Sequence, residues 1–249
     1  MNLILLSDPD FITPNRVRLT DRRFNHIQDI LKAEQSQSLS VGKINGLIGR
    51  GVVVSKTKGS IELEVKLDTK APQALPLTLI LALPRPPMLK RILFSAAMLG
   101  VKKIIILNFS RVEKSLWNSS SLKPQAIEEQ LILGLEQAKD TVMPEVMLKK
   151  SFKPFVQDEL PALIKGPQTG HSQLLRKQAL VAHPNKTHIP SPLRGGPGRG
   201  EMILFIGPEG GIIDYEIDLL KSAGCQTIDL GPRILRTDNV LPYLIGKFF

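Results

Sequence analysis

Met202-Ile-Leu-Phe-Ile-Gly-Pro-Glu-Gly-Gly211 is a short apolar run that stops at Gly-Pro, and Ile228-Asp-Leu-Gly-Pro-Arg-Ile-Leu-Arg236 does the same. The first predicts a buried strand, a glycine-rich turn at its carboxyl end, and an amphipathic helix from about Ile212 to Ser222. In an open α/β sheet, ligands bind outside the carboxyl ends of the strands. Glycine lets backbone N–H and C=O groups approach a ligand with no Cβ in the way. Two such turns, one helix apart, would close on one small molecule from two sides. Neither turn has the spacing of a dinucleotide or P-loop fingerprint. Glu209 would also repel a phosphate and suits a neutral or cationic ligand. A single turn of this kind also fits a plain strand–turn–helix connection; the pair, backed by Arg233 and Arg236, argues for a site.

Outward from these turns the chain alternates strands with helices. Leu77–Leu83, Ile104–Leu107, Ala179–Ala182, Met202–Ile206 and Thr227–Leu230 are continuous apolar runs, which suit parallel strands covered on both faces. Met88–Leu99 carries Leu89, Ile92, Leu93 and Ala96 on one face and ends at Gly100, a good helix terminator. Pro124–Lys139 opens on proline, with Ile127, Leu131 and Leu135 as its stripe. This alternation implies an α/β domain with a mostly parallel sheet over residues 73–249.

Residues 1–72 have a different texture. Arg16–Leu19, Gly51–Val54 and Ile61–Leu67 are short and β-like; the last alternates apolar and charged residues with the period of a half-buried strand. Asn45-Gly46 and Lys58-Gly59 are turn signals. One helix is expected near Asp21–Lys32, with Asp21 as its N-cap. Together these predict a small β-barrel with one helix. Thr69–Pro76 reads as the linker.

Composition narrows the class of function. The 249 residues carry 33 basic and 23 acidic side chains, a formal charge of +10. That excess favours a polyanionic partner such as nucleic acid. Residues 1–72 hold 11 basic and 8 acidic residues, so only +3 of the excess lies there. The single cysteine, Cys225, excludes an internal disulfide and fits a reducing cytosol. The four histidines, His26, His171, His183 and His188, show no ligand spacing, so no metal site is expected. No apolar run reaches the length of a membrane span, and the apolar start lacks a basic leader, so neither membrane insertion nor secretion is expected.

Phe205–Gly211 and Leu230–Arg236 resemble the cofactor loops of the SPOUT-class RNA methyltransferases, most closely the RsmE type, which methylates N3 of a uridine in 16S ribosomal RNA. The likeness continues through Arg18-Leu19, His26-Ile27, Ile30–Lys32, Leu83–Arg91, Leu99–Val101, Arg111–Ser115, Gln130–Ala138 and Val181–Pro184, nearly the whole chain. It implies a PUA-like or OB-like RNA-binding barrel followed by a methyltransferase domain with a C-terminal trefoil knot. It also implies S-adenosylmethionine as cofactor, small-subunit ribosomal RNA as partner, a cytoplasmic location and a homodimer.

The resemblance places Val181, Ala182, His183, Pro184, Gly207, Pro208, Glu209, Gly210, Gly211, Leu230, Gly231, Pro232, Ile234 and Leu235 around the cofactor. A uridine N3 must lose its proton before it attacks a methyl group, and the charge then spreads to O2 and O4. A fixed cation beside those oxygens stabilises this state. Arg236 is the first candidate and Arg233 the second, with a loop-holding salt bridge as the alternative role for Arg233. Glu209 either orients the base, accepts a proton, or caps the following helix.

Arg16, Arg18, Arg22, Arg23 and Lys32 form a candidate RNA-contacting patch. Arg194 and Arg199, in the Pro/Gly-rich Ser191–Gly200, belong either to an arm for RNA phosphates or to a solvated insertion. Trp117 reads as a stacking platform or as packing, Cys225 as a core thiol. The family continues after Leu-Arg with one residue and then Glu-Thr-Ala; here Thr237-Asp-Asn-Val240 stands instead. That departure keeps two other readings open: a ribose 2′-O methyltransferase, and an RNA-binding protein of this fold without catalysis.

Overall fold

Strands interrupted by polar turn residues build the first part of the chain, and uninterrupted apolar strands build the rest. The computed structural model describes residues 1–166, 177–183 and 201–249. They form two compact units: Met1–Gln73 with Leu131–Met143, and Ala74–Gln130 with Pro144–Phe249.

The first unit contains β1 (Ile4–Leu6), β2 (Phe11–Thr13), β3 (Arg16–Leu19), α1 (Arg22–Asn25), β4 (Ser38–Lys43), β5 (Ile48–Lys56) and β6 (Ile61–Thr69). Its strands lie in the order β1-β4-β5-β6-β3-β2. All neighbours are antiparallel except β1 and β4. The period-two pattern of β6 buries Ile61, Leu63 and Val65 against Val17, Leu19, Val41 and Val53, with Phe24 and Ile27 over them. Asp21 caps α1 by accepting the Arg23 N–H at 2.9 Å. The helix runs on as one wider turn through Ile30, and Lys32, at φ +48, ends it.

The sequence predicts a single boundary near residue 72. The structure instead adds Leu131–Met143 to the first unit. Glu136 is buried there, and the Arg22 guanidinium donates to both its oxygens at 2.9 Å. The Glu136 carbonyl accepts the N–H groups of Asn2 and Leu3.

The second unit contains β7 (Leu75–Ala82), α2 (Pro86–Met98), β8 (Val101–Leu107), α3 (Pro124–Ala138, whose carboxyl half counts with the first unit), β9 (Glu145–Lys149), α4 (Phe152–Pro154), α5 (Leu160–Lys165), β10 (Gln178–Ala182), β11 (Met202–Ile206), α6 (Asp214–Ser222), β12 (Gln226–Ile228) and α7 (Thr237–Phe248). The sheet order is β12-β10-β11-β7-β8-β9. Every pairing recorded in it is parallel, as the continuous apolar runs require.

Three of the boundary differences from expectation concern segments next to turns. β7 begins at Leu75, inside the expected linker. Pro76 is tolerated because the register with β8 shifts between Leu75 and Thr78, where proline forfeits no ladder bond. β12 ends at Ile228, so Asp229 and Leu230 belong to the turn. α6 begins at Asp214, so Ile212 and Ile213 extend the turn after β11. Both turns are therefore longer than the sequence suggested.

Candidate functional site

Ala182 lies opposite Ile206 on one side and Ile228 on the other. β10, β11 and β12 thus finish level, and the segments that follow them open on one edge of the sheet. The Gly207–Ile213 turn folds back on itself. A Cβ on Gly207 would come within 2.6 Å of the Ile212 side chain, so only glycine permits this closure. Gly211, at φ +78, closes the turn by donating its N–H to the Pro208 carbonyl at 2.8 Å. After β12, Gly231 adopts φ +101 and donates its N–H to Asp229 Oδ1 at 3.2 Å. His183 donates its backbone N–H to the Ile228 carbonyl, which ties the end of β10 to that of β12.

These turns enclose a cavity of about 430 Å³, within the size range of small-molecule sites. Ala182, His183, Gly207, Pro208, Glu209 and Gly211 form one side of its wall. Leu230, Gly231, Pro232, Ile234 and Leu235 form the other, with Arg233 and Arg236. The described residues depart from the expected set at two positions. Val181 is buried within β10 and does not reach the cavity, and Gly210 faces a different one. Pro184 lies outside the described residues, as do Arg194 and Arg199.

Met88, Ile212, Asp229, Thr237 and Val240 also line the wall and were missed. Met88 and Val240 carried only the signal of helix-face apolar residues. Partial burial pulls the His183 imidazole below its ordinary 6.5; Asp214 opposes this and Lys221 adds to it. His183 Nδ1 is buried and has no partner among the described residues. Burial thus disfavours the imidazolium, and one ring nitrogen is left without a partner among the described residues.

A second cavity, of about 660 Å³, adjoins the first and shares Met88, Glu209 and Arg236 with it. Arg85, Arg91, Arg111 and Arg236 all line it. Arg85 pairs with Glu113 at 3.0 Å. Arg91 and Arg236 both approach Asp238 Oδ2 at 3.4 Å. Arg111 instead donates to the Gly210 carbonyl. Arg85 and Arg111 sit just past the carboxyl ends of β7 and β8. Basic residues beyond parallel strand ends are the sequence signal for this cavity.

Glu209 does not cap α6. That work falls to Glu216, whose Oε2 accepts the Ile213 N–H at 3.3 Å. Glu209 Oε1 accepts the Arg85 N–H at 3.3 Å, so it caps α2 and ties the turn to that helix. Arg233 makes no ion pair among the described residues, which removes the loop-holding salt bridge.

The expected arginine patch is largely neutralised. Arg23 spends all five N–H donors on Asp10, Asp21 and the Leu5 carbonyl and is not a free phosphate contact. Burial works against the Asp21 carboxylate, but Arg23 outweighs it and holds its pKa below the usual range. Arg16 and Arg18 share Glu62 at 2.7 Å; the hydrogen bond from Arg18 leads in holding that carboxyl low. Arg22 is taken by Glu136. Lys32 stays exposed.

Trp117 is half-buried and donates to Asn108 Oδ1 at 2.9 Å, which suits packing. Burial pushes the Cys225 thiol up to about 12, so it is an inert core thiol. Among the described residues no three metal-ligating side chains converge, and no helix is long and apolar enough to cross a membrane.

A family model described as an RNA methyltransferase domain matches residues 71–247. The chain is 28% identical over 242 residues to ribosomal RNA small subunit methyltransferase E of Treponema pallidum, covering 96% of this chain and 87% of that one. It is 24% identical to ribosomal RNA small subunit methyltransferase E 1 of Borreliella burgdorferi, covering 96% and 93%. Among solved structures, it is similar to the ribosomal RNA small subunit methyltransferase E of Neisseria gonorrhoeae bound to S-adenosyl methionine. That match has a TM-score of 0.73 at 21% identity, over 99% of this chain and 95% of the other. At that identity the match establishes a shared fold.

Proposed function

The chain belongs to the RNA methyltransferase domain family, and on that premise we propose that it is an S-adenosylmethionine-dependent methyltransferase of small-subunit ribosomal RNA, acting on N3 of a uridine in 16S RNA. The observation that carries this reading is the glycine-walled cavity where β10, β11 and β12 end level, next to an arginine-lined one. The first has the size and the apolar, main-chain-rich wall suited to a nucleoside with a cationic sulfonium. When bound, S-adenosylmethionine would supply an electrophilic methyl group. The Gly207–Gly211 and Asp229–Leu235 turns would hold it through main-chain groups, and His183 offers a ring nitrogen without a partner among the described residues.

Arg236 borders both cavities and is the group suited to stabilise the N3 anion as its charge spreads to O2 and O4. Arg233 is exposed on the wall of the first cavity alone and is the weaker candidate. Glu209, also on both walls, orients the turn through its bond to Arg85; its second oxygen is the candidate proton acceptor. The arginines of the second cavity, with Lys32, take the RNA phosphates in this reading.

The proposal includes the PUA-like barrel and the trefoil knot. What supports them is the strand order β1-β4-β5-β6-β3-β2 in the first unit and the position of β12 beyond β10 rather than β11 in the second. It includes a cytoplasmic homodimer. Tyr243 and Phe249 of the last helical segment are exposed, although Leu241, Leu244, Ile245 and Phe248 are buried in their own chain. Sedimentation at micromolar concentration should give a dimer, and a monomer throughout would overturn that part.

Mass spectrometry of nucleosides from ribosomal RNA, with and without the gene, tests the reaction. Loss of 3-methyluridine is the expected result. Loss of a ribose-methylated nucleoside, or no change, refutes it.

A further inference from the structure

Arg111 stands apart from the other arginines of the second cavity. Arg85, Arg91 and Arg236 each face a carboxylate. Arg111 has no carboxylate ion pair among the described residues; its guanidinium donates to the Gly210 carbonyl. A guanidinium has five N–H donors in one rigid plane. One set serves the glycine turn, and the rest border the second cavity. The contact is close along its length. A Cβ on Gly210 would meet Arg111 Cδ at 3.4 Å, and one on Gly211 would meet Arg111 Nη1 at 3.6 Å.

The segment that carries Arg111 is fixed from behind. Ser110 donates its N–H to Glu216 Oε1 at 2.7 Å, and the same buried carboxylate accepts the Ile213 N–H at the far end of the turn. Glu216 is 1% exposed. The Gly207–Ile213 turn is thus held at its end by Glu216 and in its middle by Arg111.

We propose that Arg111 is a positioning residue that couples the two cavities: an RNA phosphate in the second cavity takes its free donors and fixes the guanidinium where it holds the Gly210 turn, so RNA and cofactor each strengthen the binding of the other. This rests on the methyltransferase reading above. Ordering one long side chain costs conformational freedom. Whichever ligand binds first bears that cost, and the second binds tighter. Such coupling is reciprocal.

The test is equilibrium dialysis of labelled S-adenosylhomocysteine, alone and with saturating small ribosomal subunits. In the wild-type protein the subunits should tighten it about five-fold or more, the low end of measured couplings. Arg111→Gln should bring that ratio to about one. Arg111→Lys keeps the charge, but its ammonium lacks the rigid planar fork that would hold the turn and a phosphate in one fixed geometry; its ratio should also fall towards one while subunit binding persists. Should Arg111→Gln fail to fold, the Lys variant carries the test. Arg85→Gln should weaken subunit binding yet keep the ratio once subunits saturate, because the Arg85 side chain does not touch the turn.

A wild-type ratio of one, or an unchanged ratio in either Arg111 variant, overturns the coupling and leaves the methyltransferase reading standing. Failure of the wild type to bind S-adenosylhomocysteine under any condition overturns both.

Discussion

Gly231→Ala and Gly224→Ala form a matched pair that separates the site from the scaffold. Gly231 has φ +101 and Gly224 φ +97, and a Cβ on either would meet nothing within 4 Å. Sterics with neighbours therefore contribute nothing, and the cost of either change is the left-handed backbone itself, about 1–2 kcal/mol for an L-residue. Where that cost appears depends on what the segment can do. Gly224 ends α6, where its N–H donates to the Lys221 carbonyl and Cys225 N–H to the Leu220 carbonyl; that geometry is locked to the helix. Gly224→Ala should lower unfolding free energy by about 1 kcal/mol and leave cofactor affinity alone.

Gly231 lies in an exposed turn held by one side-chain bond, from its own N–H to Asp229. Gly231→Ala should let that turn relax, with little loss of global stability. The relaxed turn must be drawn back on binding, and 1–2 kcal/mol is roughly a five- to thirty-fold loss in affinity. Calorimetric titration of S-adenosylmethionine beside urea denaturation reads both quantities. Equal behaviour of the two variants, or unchanged affinity in Gly231→Ala, would refute the assignment of this turn to the cofactor.

Arg236→Ala should reduce methylation turnover about 10²–10³-fold, the loss typical of one charge-stabilising donor, with cofactor affinity much less affected. The wild-type rate should rise with pH as the N3 anion becomes populated; single-turnover rates at saturating cofactor and RNA check both. Glu216→Ala removes the acceptor of two backbone N–H groups and should cost about 3 kcal/mol of stability by urea denaturation. His183 should titrate below 6.5 by NMR, because burial disfavours the imidazolium. On acidification the unfolded imidazole takes its proton first, so stability should fall as pH drops from about 6.5 to the folded midpoint and stay level beneath it. His183→Gln should abolish that segment of the pH profile.

The apolar strands of the second unit were legible because burial on both faces leaves no room for polar residues, and β7, β8, β10 and β11 read directly as such runs. Strand β9 did not. Glu145–Lys149 lies at the sheet edge, half-exposed and mixed in character, and an edge strand needs no continuous apolar run. Pro242, in the middle of α7, hides that helix from propensity reasoning. The arginines of the first unit misled for a different reason. Their partners, Glu62 and Glu136, lie far along the chain, so a local charge run resembled a free patch. Glu216 is the opposite case, an ordinary helix carboxylate in sequence that the fold buries behind the site.

The substitution at Thr237–Val240 can be weighed by what Asp238 now does. Its Oδ2 lies 3.4 Å from both the Arg91 and the Arg236 guanidinium groups, and its Oδ1 is buried with no partner among the described residues. Contacts of that length orient less firmly than a close, two-pronged pair. The shorter side chain therefore keeps a negative charge between α2 and the start of α7 without clamping either arginine. Arg236 remains largely exposed and borders both cavities. The departure from the family pattern thus keeps a carboxylate beside Arg236, the residue proposed to carry the chemistry. The buried, unpaired carboxylate oxygen is a local cost of the kind that persists at functional sites.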